Sequence, residues 1–147
     1  MSNLYNINEM LVEIFNCVLK IEEKALLEGP FKDISVTEVH TLDAIGLHSK
    51  KTMSEVAKKL NITLGTLTTS INNLVRKEYV VRNKDEFDKR VVLVSLTKKG
   101  RYLYRVHENF HSKIVGTVLE GVTEEDKEVL YKSLTNLHLF LQNELNK

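Results

Sequence analysis

Long hydrophobic runs are missing from this chain, and with them any means of crossing a membrane as a helix. The longest purely apolar stretches are a handful of residues, against the roughly 20 that a bilayer span requires. The N-terminus also lacks the basic-then-apolar pattern of an export signal. A single cysteine, Cys17, excludes an internal disulfide and fits a reducing cytoplasm. The single proline, Pro30, leaves long helices uninterrupted, so with 28% charged residues the chain is expected to be mostly helical and soluble. The sequence has no Gly-rich phosphate loop, no nucleophile-elbow motif and no Cys/His cluster at metal-ligand spacing. An enzyme is therefore the least supported class, and neither a cofactor nor a metal is expected. His40, His107, His111 and His138 are scattered over predicted helices. His107 and His111, four apart, share a face, but a metal would need further ligands.

What the chain does hold is a charge separation concealed by its net charge of +1. Between Lys50 and Arg105 there are 14 Lys or Arg against 5 Asp or Glu, whereas the flanks carry 7 basic and 15 acidic residues. A centre of +9 between flanks totalling −8 suits a polyanionic partner. Charge runs are also common on faces that are merely solvated, so the sign alone decides nothing. A length of 147 residues is close to the usual size of one domain with a modest core.

The ends of the chain read as long helices. From about Ile7 to Leu27, Ile7, Met10, Leu11, Ile14, Val18 and Ile21 recur at intervals of three and four, and Val12, Phe15, Leu19 and Leu26 fall on a neighbouring face. Such a helix is apolar on more than one side, which leaves one face for its own domain and another for a partner chain. Gly29-Pro30 stops it, and Ile34-Ser35 leads into a second helix from Val36 to about Leu47 with Val39, Leu42 and Ile45 inward. Towards the other end, Thr97 is placed to cap a helix that continues through Leu103, Val106, Phe110, Ile114 and Val118. Thr123-Glu124-Glu125-Asp126 then opens a last helix striped by Leu130, Leu134, Leu137 and Leu141. Two long apolar arms around a small basic centre suggest a homodimer formed through the termini, whose two-fold symmetry would match a pseudo-palindromic site in double-stranded DNA.

In the centre, two short helices precede a charged hairpin, the order of a winged helix-turn-helix. Thr52 stands three residues before Glu55, the spacing of a capping box, at the head of a helix over Met53–Leu60 with Val56, Ala57 and Leu60 inward. Asn61 tolerates the left-handed backbone that ends a helix. Thr63 caps the next, the recognition helix, where Leu64, Leu67, Ile71, Leu74 and Val75 cluster on one side. That clustering turns Gly65, Thr66, Thr69, Asn72, Asn73 and Arg76 the other way, and Thr52, Ser54 and Thr68 complete the candidate contacts of this motif. Thr hydroxyls donate and accept, Asn pairs with an adenine edge, and a Thr methyl touches thymine. Gly65 lets the backbone approach a phosphate at the positive end of the helix.

The hairpin strands are read as Tyr79–Arg82 and Arg90–Leu96, with residues 83–89 at the tip. The tip is acidic and would repel phosphate, so it must act by placing Arg90 specifically, through a salt bridge from Asp88, with Arg82 and Lys89 adding phosphate contacts. The bland reading of Asp88 and Arg90 is an exposed ion pair worth less than about 1 kcal/mol.

Gly65-Thr66-Leu67-Thr68, Asp88-Lys89-Arg90 and Leu96-Thr97-Lys98-Lys99-Gly100 resemble the MarR family of bacterial transcription regulators, over nearly the whole chain. The resemblance implies a fold that is mainly α with a small β-hairpin wing. It also implies one domain over residues 1–147, in which about 1–34 and 104–147 are dimerisation helices and about 35–103 the winged helix-turn-helix. It implies, too, that an arginine at Arg90 enters the minor groove. A narrower likeness is carried by Ile14-Phe15-Asn16, Ile21-Glu22-Glu23, Phe31-Lys32-Asp33-Ile34-Ser35 and Glu38-Val39-His40-Thr41. These words resemble the branch that represses fatty-acid biosynthesis genes, and they imply acyl chains borne by acyl carrier protein as corepressor. The effector residues would then be Ile14, Phe15, Val18 and Phe110 along an acyl tunnel, with Arg101 and Arg105, beside Lys98, facing the acidic carrier. DNA phosphate contact or plain solvation explains those cations equally well.

Other readings stay open at this point. The family resemblance admits a regulator answering to another small ligand, or a peroxide sensor acting through Cys17. Against the latter, Cys17 lies on the edge of the apolar stripe, where a buried, inert thiol is the commoner case. From a different class comes a winged-helix module that binds protein, distinguished by a flat salt response, because phosphate contacts release counterions.

Overall fold

The computed structural model describes residues 2–147, with side chains from Asn6 onward. The elements follow in the order α1 (Ser2–Glu28), α2 (Val36–Ile45), β1 (Lys51–Thr52), α3 (Met53–Leu60), α4 (Leu64–Arg76), β2 (Val80–Lys84), β3 (Val92–Leu96), α5 (Lys98–Leu119) and α6 (Glu124–Leu145). This is the expected mainly α winged helix-turn-helix. Two compact units divide the chain, residues up to Tyr104 and Arg105–Lys147. Among the described residues no helix is long and apolar enough to cross a membrane.

Local chemistry sets most boundaries in the first unit. Ser35 and Glu38 form a reciprocal capping box at the head of α2, and Gly46, at φ 91°, ends that helix at Ile45, two residues before the Leu47 that its apolar pattern suggests. Lys51 Nζ then donates to the Ala44 carbonyl at 2.9 Å, satisfying one of the acceptors left at the end of α2. Thr52 and Glu55 cap α3 reciprocally, and Asn61 closes it in the left-handed region at φ 54°, ψ 47°. Thr63 caps α4 by accepting from the Thr66 N–H at 3.2 Å. The core is drawn from the elements of this unit other than α1 and β1: Val39, Leu42 and Ile45 of α2, Val56 and Ala57 of α3, Leu67, Ile71 and Leu74 of α4, with Phe31, Ile34, Tyr79, Val80, Val94, Leu96 and Leu103 around them, and Leu26 of α1 packs against it partly buried.

Four further details differ from the sequence reading. The sheet has three antiparallel strands in the order β1-β3-β2, not a lone hairpin, because Lys51 and Thr52 pair with Val94 and Leu93. The hairpin itself is shifted along the chain. β2 runs on to Lys84, since an edge strand tolerates polar side chains, and β3 starts only at Val92. Arg90 lies in the turn, not in a strand, because the Asp88 carboxylate takes its N–H at 3.1 Å and diverts it from the ladder. Leu64, expected among the inward residues of the recognition helix, is 52% exposed, as befits the first residue after a cap.

Tyr79 joins the start of the hairpin to the corner after α1. Its ring is fully buried beside Phe31, its hydroxyl donates to Asp33 Oδ1 at 2.6 Å, and Lys99 Nζ stands 4.2 Å over the ring centroid and 3.8 Å from Asp33 Oδ2. The hydrogen bond from Tyr79, helped by the Lys99 and Lys77 charges, holds the Asp33 carboxyl below the ordinary aspartate range, while burial pushes the Tyr79 phenol up. A carboxyl depressed by folding contributes stability that is present above its unfolded pKa of about 4 and disappears as pH falls through the folded value. Tyr79→Phe removes the largest cause of that depression. The stability gap between parent and variant should therefore narrow on acidification from neutrality to about pH 3, read as Tm against pH. A gap that stays constant over that range would mean that the phenol does not hold the Asp33 charge.

In the second unit, α5 and α6 are joined through Gly121, at φ 72°, and the Thr123 cap, whose Oγ1 accepts from the Asp126 N–H at 3.1 Å. Between them lies an apolar groove of about 410 Å³, lined by Ile114, Val115, Val118, Leu119, Leu130 and Leu134. In the single chain α6 buries none of its residues. His107 and His111 share a face of α5, as their spacing requires, with their Nε2 atoms 3.0 Å apart. In the first unit, the apolar stripe of α1 is likewise exposed at Ile7, Met10, Ile14 and Ile21.

Candidate nucleic-acid interface

The recognition helix owes its two faces to a simple period. Leu67, Ile71 and Leu74 recur at three and four residues and are fully buried, which leaves Gly65, Thr66, Thr68, Thr69, Asn72 and Arg76 exposed and Asn73 half-buried. Hydrogen bonding sorts the hydroxyls on this outer face. Thr68 Oγ1 donates to the Leu64 carbonyl at 2.8 Å and Thr69 Oγ1 to the Gly65 carbonyl at 3.4 Å, so both present outward an acceptor oxygen and a methyl group. Thr66 Oγ1 accepts from Thr63 Oγ1 at 2.8 Å and keeps its own proton for an outside acceptor. Gly65 has open space where a side chain would be. At the head of α3, Thr52 is half-buried and occupied in capping, and Ser54 is exposed.

The wing presents a different chemistry. Arg90 is 92% exposed in its side chain, yet it is tethered, with Nε 3.1 Å and Nη2 3.5 Å from the two oxygens of Asp88. The ion pair anticipated from sequence is therefore present, reinforced by the backbone hydrogen bond to the same carboxylate. Lys89 is exposed beside it. Arg82 is placed otherwise than the hairpin pattern suggests. Half-buried, it donates from Nη2 to Asn72 Oδ1 on the outer face of α4, linking the wing to the recognition helix. Nothing in the sequence signals that link, nor the Lys77 ammonium 3.0 Å from both Glu38 oxygens that ties the end of α4 to the head of α2. The partners are 10 and 39 residues apart and obey no helical or strand period.

The residues expected to meet an effector are placed separately. Ile14 and Phe15 are exposed on α1 and Val18 half-buried. Arg101 is half-buried and donates from Nη1 to the Leu96 carbonyl at 2.9 Å, so part of its fork is committed to the end of β3. Arg105 is exposed, and Phe110 is half-buried against the His107 and His111 rings. Cys17 is exposed in the single chain, contrary to the buried thiol expected at the stripe edge, because the adjoining face of α1 is itself uncovered.

This arrangement superposes on that of Streptococcus pneumoniae FabT, solved in complex with DNA, with a TM-score of 0.86 and 50% identity over 95% of this chain and 98% of that one. A family model described as MarR family matches residues 32–91, from the corner after α1 to the turn of the wing, just short of β3. The chain belongs to the MarR family. Two further relatives share less of the sequence. PchR, an HTH-type transcriptional regulator of Bacillus subtilis, is 26% identical over 113 residues, 75% of this chain and 67% of that protein. The F27L mutant of S. aureus MepR, solved bound to an oligodeoxyribonucleotide, is 25% identical, with a TM-score of 0.60 over 91% of this chain and 97% of that one. The protein is thus a winged helix-turn-helix transcription regulator, and its relatives are regulators, not enzymes.

Proposed function

We propose that the protein is a homodimeric repressor that reads a pseudo-palindromic operator, with the outer face of α4 in the major groove and Arg90 in the minor groove of each half-site. The observation that carries this reading is the pairing of two unlike polar surfaces in one unit, a hydroxyl- and amide-rich helix face and an arginine held at a wing tip by Asp88. Thr52, Ser54 and Lys89 flank those surfaces as backbone contacts, and Thr66, Thr68, Thr69, Asn73 and Arg76 face the bases and phosphates. The likeness to a FabT crystallised with DNA supports the same assignment. Dimerisation through α1, α5 and α6 would cover their exposed apolar residues, which a monomeric soluble protein would leave to water on each of these helices. The experiment is binding of the purified protein to duplexes selected from random DNA, read by fluorescence anisotropy across salt concentrations, with the oligomeric state from sedimentation. Steeply salt-dependent binding by a dimer is expected, and a monomer indifferent to every duplex at low ionic strength would refute the proposal.

Within that reading, the regulated genes are those of fatty-acid biosynthesis, and acyl carrier protein bearing an acyl chain is the corepressor. The support is the sequence likeness to the fatty-acid branch together with apolar side chains such as Ile14, Phe15 and Phe110 that a hydrocarbon chain would contact, and the cations Arg101 and Arg105 for an acidic carrier. Titrating operator binding with acylated and with unacylated carrier tests it. Superimposable curves would remove the corepressor.

Gly65 offers a check that separates folding from binding. Open space surrounds it, so Gly65→Ala should leave the fold intact and raise helix stability by up to about 1 kcal/mol. Operator affinity should fall at the same time, because the methyl group would keep the helix from a phosphate. Equal or tighter binding by the stabilised variant would show that DNA does not approach the α4 backbone there.

A further inference from the structure

Arg82 is the third residue of β2 and Val80 the first, so the strand's period of two puts both on one face; Val80 is buried, and β2 packs against α4. From that face the Arg82 guanidinium reaches Asn72, which stands between buried Ile71 and half-buried Asn73 on the recognition helix. A guanidinium carries donors only. The amide atom turned towards it is therefore the carbonyl oxygen, and the NH2 of Asn72 is left turned away from the wing. An asparagine that reads adenine must aim both groups at one base, accepting from N6 and donating to N7. Held by Arg82, Asn72 turns its NH2 outward while its carbonyl oxygen is drawn to the wing side, away from the place where an adenine N6 would need it.

We propose that Arg82 determines the base preference of Asn72: by holding the carbonyl towards the wing it makes Asn72 a donor, favouring the N7 and O6 acceptors of guanine over the mixed edge of adenine. This rests on the DNA-reading function proposed above, and it assigns Arg82 to positioning the reader, where the sequence suggests a phosphate contact. The wing and the recognition helix are then one reading device.

The test is selection of bound fragments from random duplex DNA with the full-length protein, the Asn72→Ala, Arg82→Ala and Arg82→Lys variants, each checked for helix content by circular dichroism. Asn72→Ala should lose preference at one base pair per half-site, which locates the pair that Asn72 reads. At that pair the parent should enrich guanine over adenine. Arg82→Ala should shift the ratio towards adenine by about fivefold or more, the size of one good direct contact. Arg82→Lys, which keeps the charge but loses the fork, should shift it the same way. A gain of adenine preference is not something that lost packing or a lost phosphate contact produces. The inference is overturned if Arg82 variants enrich the parent's sequences unchanged, if they cease to enrich any sequence, if Asn72→Ala alters no position, or if the parent already prefers adenine there. Failure of the parent to enrich any duplex would instead sink the DNA-reading function itself.

Discussion

Arg90→Ala should weaken operator binding by about 1 to 3 kcal/mol, about fivefold to 150-fold, while dimer and melting temperature stay where they are. The separation of the two effects follows from geometry. The Arg90 side chain is 92% exposed and its ion pair with Asp88, at 3.1 Å, lies in solvent, where such pairs contribute less than about 1 kcal/mol to folding. If Arg90 enters the minor groove as proposed, the pair restricts a long side chain to one direction before DNA arrives and so lowers the entropy cost of its insertion. Asp88→Ala should accordingly lose part of the affinity lost in Arg90→Ala, although it removes a negative charge that repels phosphate. Anisotropy titrations on a selected duplex measure both. Unchanged affinity in Arg90→Ala would take the wing out of the interface, and tighter binding in Asp88→Ala would show that repulsion outweighs preorganisation.

Gly100→Ala should cost at least about 3 kcal/mol of folding stability, among the larger effects of a single methyl group. A β-carbon at Gly100 would stand 2.1 Å from the Tyr79 carbonyl oxygen and 3.1 Å from its carbon. Neither partner can withdraw easily. The same carbonyl accepts from the Thr97 N–H at 3.1 Å, and the Tyr79 side chain is fully buried with its hydroxyl bound to Asp33. The helix-propensity gain of about 1 kcal/mol from replacing glycine offsets only a fraction. Urea unfolding followed by circular dichroism gives the number. A variant as stable as the parent would mean that the start of α5 does not press on the base of the wing.

That close approach shows why part of the molecule was legible in the sequence and part was not. Leu96-Thr97-Lys98-Lys99-Gly100 could be recognised as a motif, but a string of letters does not say that its glycine is needed because a carbonyl from residue 79 lies against it. Caps were readable for the opposite reason. Thr52 with Glu55, Thr63 with Thr66 and Thr123 with Asp126 are partners three residues apart, so their hydrogen bonds are fixed by helix geometry alone. The Asp88–Arg90 pair is equally local. β1 escaped notice because two residues carry no period, and because its partners, Val94 and Leu93, are supplied from the far side of the motif. The limits of the wing strands shifted because the Asp88 side chain competes for a backbone N–H that β-propensity would assign to the ladder.

By itself, then, the order of residues determined the helices, their caps, the inward faces of α2, α3 and, Leu64 apart, α4, the basic centre and the family, all of which depend on spacings of a few residues or on recurring words. Only the tertiary structure decided that Arg82 is turned to Asn72, that Tyr79 is bonded to Asp33 and overlain by Lys99, that β1 closes the sheet, and that the stripe on α1 with Cys17 beside it is uncovered in the single chain. The physical reason is one of range: helix and turn preferences act within about four residues, whereas a contact between residues far apart in the chain exists only once packing of the whole unit has overcome the entropy of closing the loop between them.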